Sequence, residues 1–432
     1  MSKSETNQTS GSLNDCFLHD KERLRHDEAL AILQDRLAPI VGHETIALDD
    51  ALGRVVAADI HAPHPVPNHT NAAVDGYAFA HSDLNDRPLN VSQTIAAGDI
   101  DPKPLEPGTA ARIFTGAAMP EGADTVAMQE DCDRQGGAVT LPAGLKHGAN
   151  CRLAGEDIRA GQMVIERGHR LKAADLAALA SIGCAKIDVF RPLRVAVLSS
   201  GNELRTPQED SENLRLGEVF DTNTPLLAAL LDRLPVVIHR AGIVADTCEA
   251  VETTLSELSQ QHDVIITSGG ASRGDEDHML SALDRLGKRH LWQLAVKPGR
   301  PMMFGQISRS GAASDCIYFG LPGNPVAAMV CFLLYVRPSL LRLAGAHWSE
   351  PQRFPVPAGF SIKNKKPDRR EFLRGSVGAD HDGKLVATRF ERDGSGLISS
   401  LRLSDGLIEI PEHVTEIAEG EIVSFIPFTS FD

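Results

Sequence analysis

The 432-residue chain has few cysteines, no C-x-x-C pair and a deficit of positive charge. Its 7 cysteines (Cys16, Cys132, Cys151, Cys184, Cys248, Cys316, Cys331) are odd in number. That argues against a disulfide framework or a structural zinc site and leaves buried, reduced thiols as the expectation. With 43 Lys+Arg against 58 Asp+Glu, the formal charge is −15. Nucleic acid and anionic membrane surfaces are thereby excluded as main partners, because both need clustered Lys and Arg. The opening stretch MSKSETNQTSGSLNDCFLHD has no apolar core, so a secretory signal is not expected, and residues 1–20 read as a mobile tail. The longest apolar run, Val326 to Val336, is about half what a bilayer requires and reads as a buried helix. A soluble, cytoplasmic chain is the expectation. No internal repeat is apparent.

What is present is a globular composition, 42% hydrophobic and 23% charged, which excludes wholesale disorder. The length suggests about three domains, or about four small ones. HDEALAILQDRLAP places Ala29, Leu30, Leu33 and Leu37 on one helical face, with Pro39 beyond its end. LDDALGRVVAADI (48–60) suggests a second short helix. Composition then shifts to the Pro- and Asn-rich HAPHPVPNHTNAAVDGYAF (61–79), and residues 88–150 alternate short apolar runs with Gly and Pro, as in a small β domain. LKAADLAALASIG (171–183) is helical again. From Arg191 strands and helices alternate: LRVAVLSSG, a helix opened by Thr224-Pro225, PVVIHRAGIV, TCEAVETTLSELSQ, DVIITSGG, a helix from Asp277 to Leu286, then CIYFGLPGNP feeding the apolar helix. Such alternation predicts a doubly wound, mostly parallel sheet. Beyond Gly345, KLVATRF and GEIVSFIPF suggest an all-β module.

IITSGGASRGDEDH (265–278) carries the most chemistry. Ser268, Gly269, Gly270 and Ser272 follow a buried strand, where backbone N–H groups can approach an anion. Asp275, Glu276 and Asp277 offer oxygens suited to Mg²⁺, or else Asp275 simply caps the helix. Lys297-Pro298-Gly299-Arg300-Pro301 holds two cations in a rigid turn, and Pro322-Gly323-Asn324 leads into a helix N-terminus favourable to an anion. Together these loops point to a phosphate-bearing ligand. Asp246, with Glu249 three residues on, reads most simply as an N-cap with capping-box character. Glu203 lies on the ligand edge of the sheet, while Asp75 and Asp157 could equally satisfy their own turns. His61, His64 and His69 read as solvated or packed rather than metal-binding. SIKNKKPDRREFLRG (361–375) has a net charge of +4 and reads as a solvated face or exposed hairpin; its alternative role is to neutralise an anionic ligand.

Taken in order, NAAVDGYA, RIFTGAAMPEGADTVAMQED, GANCRLAGEDI, VAVLSSGNEL, DTN, TSGGASRGDEDH, KPGRP, GLPGNP and RREFLRG resemble the molybdopterin molybdenumtransferase family (MoeA-type, including the E-domain of gephyrin). The resemblance runs from about His26 to the C-terminus. It implies a multidomain α/β plus β fold: an elongated domain (21–60 and 150–190), an inserted β domain (61–149), a doubly wound α/β molybdopterin-binding domain (191–345) and a C-terminal β-barrel-like domain (346–432). It also implies a homodimer in which Asp75, Thr115 and Asp157 of one subunit face Glu203, Asp246 and Asp277 of the other. The implied reaction cleaves adenylylated molybdopterin, releases AMP and transfers molybdenum from molybdate to the dithiolene. Asp246 and Asp277 would hold Mg²⁺; Lys297, Arg300, Arg374 and Ser395 would bind molybdate; Glu203 would act as a base or position water. Molybdopterin adenylyltransferase and other proteins of the cofactor pathway are further implied partners.

The chain departs from the family pattern at several points. Thr70-Asn71-Ala72-Ala73-Val74 lacks the usual Asp and Ser, Ala327 stands where Ser is common, GGASRG replaces the commoner GGVS-x-G, and Asp405 stands where Asn is usual. Two competing readings remain at this level: a non-catalytic molybdopterin-binding scaffold, and an adenylyltransferase sharing only the α/β domain. The match to the β domain and C-terminal module weighs against the second.

Overall fold

The computed structural model describes residues 23–207, 214–269, 278–299, 301–309, 311, 314–392 and 394–431. The expected tail at 1–20 and the site positions Gly270, Ser272, Asp277 and Arg300 lie outside the described residues. The architecture is multidomain α/β plus β, as expected, and is organised around one wide central sheet.

The chain enters through the helix His26–Arg36, which buries Ala29, Leu30 and Leu33 as its periodicity predicts. His43–Ala47 then pairs antiparallel with Lys186–Phe190, and Ile60–His61 with Met163–Ile165. Everything between returns as an insertion, with a six-stranded sheet spanning Gly76 to Thr140. The helix expected over 48–60 does not form. Only Leu48–Asp50 makes a single 3-10 turn, after which Gly53 adopts φ +76° and the β-branched Val55 and Val56 bridge to Arg170 and Val189. Tertiary pairing wins over the weak helical pattern there.

The central sheet comprises β1 (Leu193–Ser200), β2 (Val236–Val244), β3 (Val264–Ser268), β4 (Gly287–Gln293), β5 (Pro301–Ile307) and β6 (Cys316–Leu321) in the order β2-β1-β3-β6-β5-β4. The first four strands are parallel, and β5 and β4 close that edge antiparallel. The sequence pattern does not announce β4 and β5, which pair antiparallel with each other. Alternate residues of β1 face opposite layers. Val195 and Val197 pack with Leu227 and Leu231 of α1 (Asn223–Leu231), whereas Ala196 and Leu198 pack with Val251 and Leu255 of α2 (Cys248–Gln261) and Met279 of α3 (His278–Leu286). Coverage on both faces explains why these strands read as continuous apolar runs.

The apolar run after β6 is longer than its sequence suggests. Helix α4 (Pro325–Cys331) continues through Phe332–Val336 into Arg337–Leu343 as one 19-residue apolar helix. Since 94% of its most apolar window is buried, it is a core helix. The C-terminal sheet curls on itself: Arg370–Ala379 pairs with Gly406–Ile410 and Leu385–Arg389, and a bridge from Ala358 to Ala387 links its outer strands.

Residues 361–375 divide in two: Lys363, Lys366 and Asp368 are exposed, as a solvated face requires, whereas the strand Arg370–Ala379 is interior to that sheet, paired on both sides, and several of the cations have internal partners. Lys365 is buried and its Nζ donates to the carbonyls of Lys366, Arg369, Pro411 and Glu412. Arg370 pairs with Asp27, Glu409 and Glu412. Of the described cysteines, Cys316 and Cys331 are buried and the other four half-buried; all are free thiols. His61, His64 and His69 are exposed, as expected.

Candidate active site

Parallel α/β sheets place ligands at the carboxyl ends of their strands, where the strand order reverses. Here that point lies between β1 and β3, since the chain passes from β1 outward to β2 and then back across to β3. Polar residues concentrate there at the end of otherwise apolar strands. Ser199 and Ser200 close β1 and Ser268 closes β3, all three buried. Gly269 follows with φ +92°, and a Cβ on it would lie 2.4 Å from the Ser200 carbonyl oxygen. Only glycine permits the two strand ends to approach so closely.

Asp221 organises the first turn of α1. Its buried carboxylate accepts from Ser199 Oγ at 3.1 Å and from the backbone N–H groups of Asn223 and Thr224 at 3.0 and 3.1 Å. Asn223 in turn donates its side-chain amide to Ser268 Oγ at 2.6 Å and to the Gly323 carbonyl at 2.7 Å. The ends of β1, β3 and β6 are therefore fastened through the tripeptide Asp221-Thr222-Asn223. In the sequence Asp221 and Asn223 stand in DTN with no evident role. The available signal was a polar triplet immediately before an apolar helix.

Asp246 is not the helix cap. Thr247 is the N-cap of α2, its hydroxyl accepting from Ala250 N–H, because Glu249 sits one position too early to close a box. The Asp246 carboxylate is left to accept from Ser200 Oγ at 3.3 Å, while its own N–H donates to Asn202 Oδ1. Glu203 folds back over Gly201, where a Cβ would meet its carboxylate oxygens at 2.5 and 2.7 Å. Ser200, Asn202, Glu203 and Asp246 thus form one oxygen-rich rim.

The second group of candidates gathers at the junction of the central sheet with the C-terminal module. Asn324 occupies the N-cap position of α4 without a side-chain cap bond, Pro325 follows in the first turn, and Val326 N–H donates to the Ser395 carbonyl at 3.2 Å. Arg374 is buried; its guanidinium donates to Ser400 Oγ and to the carbonyls of Arg392 and Gly394, fixing the loop that carries Ser395. Lys297 pairs with Glu371 at 3.2 Å, three residues before Arg374 on the same strand. Gly299 keeps φ +109° over Cys331, whose Sγ a Cβ would meet at 2.5 Å. Burial raises that thiol to about 12, so it packs under the turn as a neutral group. Pro322 and Gly323 complete the turn between β6 and α4. Ala327 is buried in the first turn of α4.

Asp75 and Thr115 meet in the inserted sheet. The Asp75 carboxylate accepts from both the backbone N–H and the hydroxyl of Thr115, at 2.8 and 2.7 Å, and these bonds hold its pKa below the usual carboxylate range. This is a contact 40 residues long in sequence, not a local turn. Asp157 donates its N–H to the Val66 carbonyl at 3.1 Å. Among the described residues, Asp75, Thr115 and Asp157 form no bond to Glu203 or Asp246 within the chain.

Residues 24–183 match the MoeA N-terminal region (domain I and II), residues 196–342 the "Probable molybdopterin binding domain", and residues 356–428 the MoeA C-terminal region (domain IV). The chain is 34% identical over 405 residues to a molybdopterin molybdenumtransferase of Haemophilus influenzae, covering 93% of this chain and 98% of that one. It is 30% identical over 354 residues to gephyrin of Dictyostelium discoideum, covering 74% of this chain and 49% of the other. The crystal structure of the molybdopterin biosynthesis MoeA protein from Pyrococcus horikoshii OT3 superposes with a TM-score of 0.79 at 26% identity, covering 94% of this chain and all of that one.

Proposed function

Because the chain belongs to the MoeA-type molybdopterin molybdenumtransferase family, we propose that it is an enzyme of molybdenum cofactor biosynthesis that takes adenylylated molybdopterin and molybdate, releases AMP and leaves molybdenum on the dithiolene. The observation that carries this reading is the adjacency of two unlike sites. An oxygen-rich rim at Ser200, Asn202, Glu203 and Asp246 stands at the strand ends. The Asn324 turn, the Ser395 loop, Arg374 and Lys297 stand beside it across β3 and β6.

In this proposal Ser268, Gly269, Pro322, Gly323 and Asn324 receive the phosphate-bearing part of the substrate, and Gly270 and Ser272 are further candidates for the same role. Backbone N–H groups and the dipole of α4 favour negative charge there. Arg374 and Ser395, with Lys297 and Arg300, take the molybdate dianion. The carboxylate of Asp246 belongs to a donor set of carboxylate, hydroxyl and amide oxygens, which suits Mg²⁺, with Asp277 as its other ligand. Such a cation, when bound, supplies charge neutralisation for the departing AMP. Glu203 positions or deprotonates the attacking water.

Asp75, Thr115 and Asp157 fit this scheme through a homodimer in which one subunit's inserted sheet covers the other's strand ends. Molybdopterin adenylyltransferase is proposed as the upstream partner, and the cytoplasm as the compartment. The test is incubation of purified protein with adenylylated molybdopterin, molybdate and Mg²⁺, following AMP and mature cofactor. Release of AMP with cofactor formation is expected. Tight binding without turnover would replace the enzyme with a scaffold.

A further inference from the structure

Asp75 and Thr115 bond to one another, yet neither belongs to a strand. Asp75 immediately precedes Gly76–Phe79, and Thr115 lies just beyond the end of Thr109–Ile113. A carboxylate at such a place keeps one direction only if the backbone around it is fixed by further contacts.

Arg112 makes those contacts. It stands directly opposite Tyr77 in the antiparallel register, so the two side chains share a face of the inserted sheet. Its Nη1 donates at 3.0 Å to the carbonyl of Gly76, the residue that follows Asp75. Its Nη2 donates to Gln129 Oε1, and the Gln129 N–H donates at 3.0 Å to the carbonyl of Asp75 itself. The guanidinium carbon lies 5.1 Å from the centre of the Tyr77 ring and 4.9 Å from that of Phe114. Phe114 is the residue before Thr115, and its ring is 36% exposed, so the cation is a main support for it. One side chain therefore touches the residue after Asp75, the residue before Thr115, and the residue whose amide holds the Asp75 carbonyl. Lysine could not replace it, because an ammonium has neither the fork for two separated acceptors nor a plane to lay against two rings. After the two hydrogen bonds from Thr115, the charge of Arg112 is a further influence holding the Asp75 carboxyl below its usual range.

We propose that Arg112 is the positioning residue of the Asp75–Thr115 pair. Its forked guanidinium, laid against Tyr77 and Phe114, sets the backbone on both sides of the pair and with it the direction of the Asp75 carboxylate. Arg112 acts only through that pair and touches no substrate. The consequence for turnover rests on the function proposed above, in which Asp75 and Thr115 serve the reaction. The consequence for the geometry of the pair does not.

Arg112→Lys in the full chain tests both, by hydrogen exchange and by steady-state kinetics. The Thr115 N–H, which donates to Asp75 at 2.8 Å, should exchange about tenfold faster, while the amides of β1 in the central sheet keep their rates. With adenylylated molybdopterin and molybdate, kcat should fall about tenfold and KM should stay within about twofold, since orientation is lost and substrate contacts are not. In an Asp75→Asn background the same substitution should change the residual kcat by less than about twofold, as expected of two residues that act as one unit. Should Arg112→Lys fail to fold, Phe114→Leu removes one of the two rings and must move Thr115 exchange and kcat in the same directions, by about threefold. Unchanged Thr115 exchange, wild-type kcat, or full additivity with Asp75→Asn overturns the proposal. Absence of AMP release from the wild type overturns the proposed function instead, and Thr115 exchange then decides by itself whether Arg112 holds the pair.

Discussion

The side-chain amide of Asn223 donates to Ser268 Oγ at 2.6 Å, a bond across 45 residues that ties the first turn of α1 to the end of β3. The same amide reaches the Gly323 carbonyl, so one buried side chain spaces two ligand-facing loops. Asn223→Ala leaves both partners without their donor and is expected to cost about 1–3 kcal/mol in urea unfolding. Asn223→Asp restores the shape but not the donors, so it should not rescue activity. Wild-type turnover in both variants would show that the spacing of these loops is irrelevant.

The Asp75–Thr115 contact gives a prediction separable from stability. Thr115→Val removes the hydroxyl donor but keeps the backbone N–H and the side-chain shape. The Asp75 carboxyl, observed by carbon NMR, should titrate higher than in the wild type, toward its usual range. Because Thr115 is exposed, unfolding stability should change by no more than about 0.5 kcal/mol. The rate should fall by about tenfold if the orientation of Asp75 matters to the reaction.

His26 ties the entry helix to the core and makes stability depend on pH. Its ring bonds to Tyr335 Oη at 2.7 Å, and burial, reinforced by Arg370, lowers its pKa from 6.5 to about 3. Below pH 6.5 the unfolded chain binds a proton at this position that the folded chain refuses. Stability is thus fully present above pH 6.5 and declines as pH falls toward 3, by at most about 1.4 kcal/mol per pH unit. Urea midpoints measured between pH 7 and 5 should fall less steeply in His26→Gln than in the wild type. Parallel slopes would rule out His26 as a contributor.

Lys365 tests whether the basic segment serves structure or ligand. Lys365→Met strands four carbonyl oxygens and should cost about 1–3 kcal/mol. The exposed Lys363→Ala and Lys366→Ala should each stay within about 0.5 kcal/mol of wild type. Thermal or chemical unfolding distinguishes the three variants directly.

Much of the central sheet was legible because strands buried on both faces write themselves as unbroken apolar runs, and the helices between them keep their own period. Leu193–Ser200 and Val264–Ser268 are found where the sequence puts them. The strands Gly287–Gln293 and Pro301–Ile307 were not legible, since Lys, Arg and His interrupt the first and Pro opens the second. Antiparallel pairing, not residue pattern, defines them. The roles of Asp221 and Thr247 were also hidden: cap identity depends on where α1 and α2 begin, and one residue of offset moved the cap from Asp246 to its neighbour.

By itself, the sequence determined the order of motifs, the acidic balance, the glycine at the β1–β3 approach and the family to which they belong. These are properties of residue type and spacing along one chain. The tertiary structure alone decided which charges have partners. Lys365 and Arg370 look free in the sequence yet are consumed by carbonyls and carboxylates of distant segments, while Asp246 looks like a cap yet is left to the rim. A charge acts through whatever lies within a few ångströms of it, and folding chooses those neighbours from anywhere in the chain.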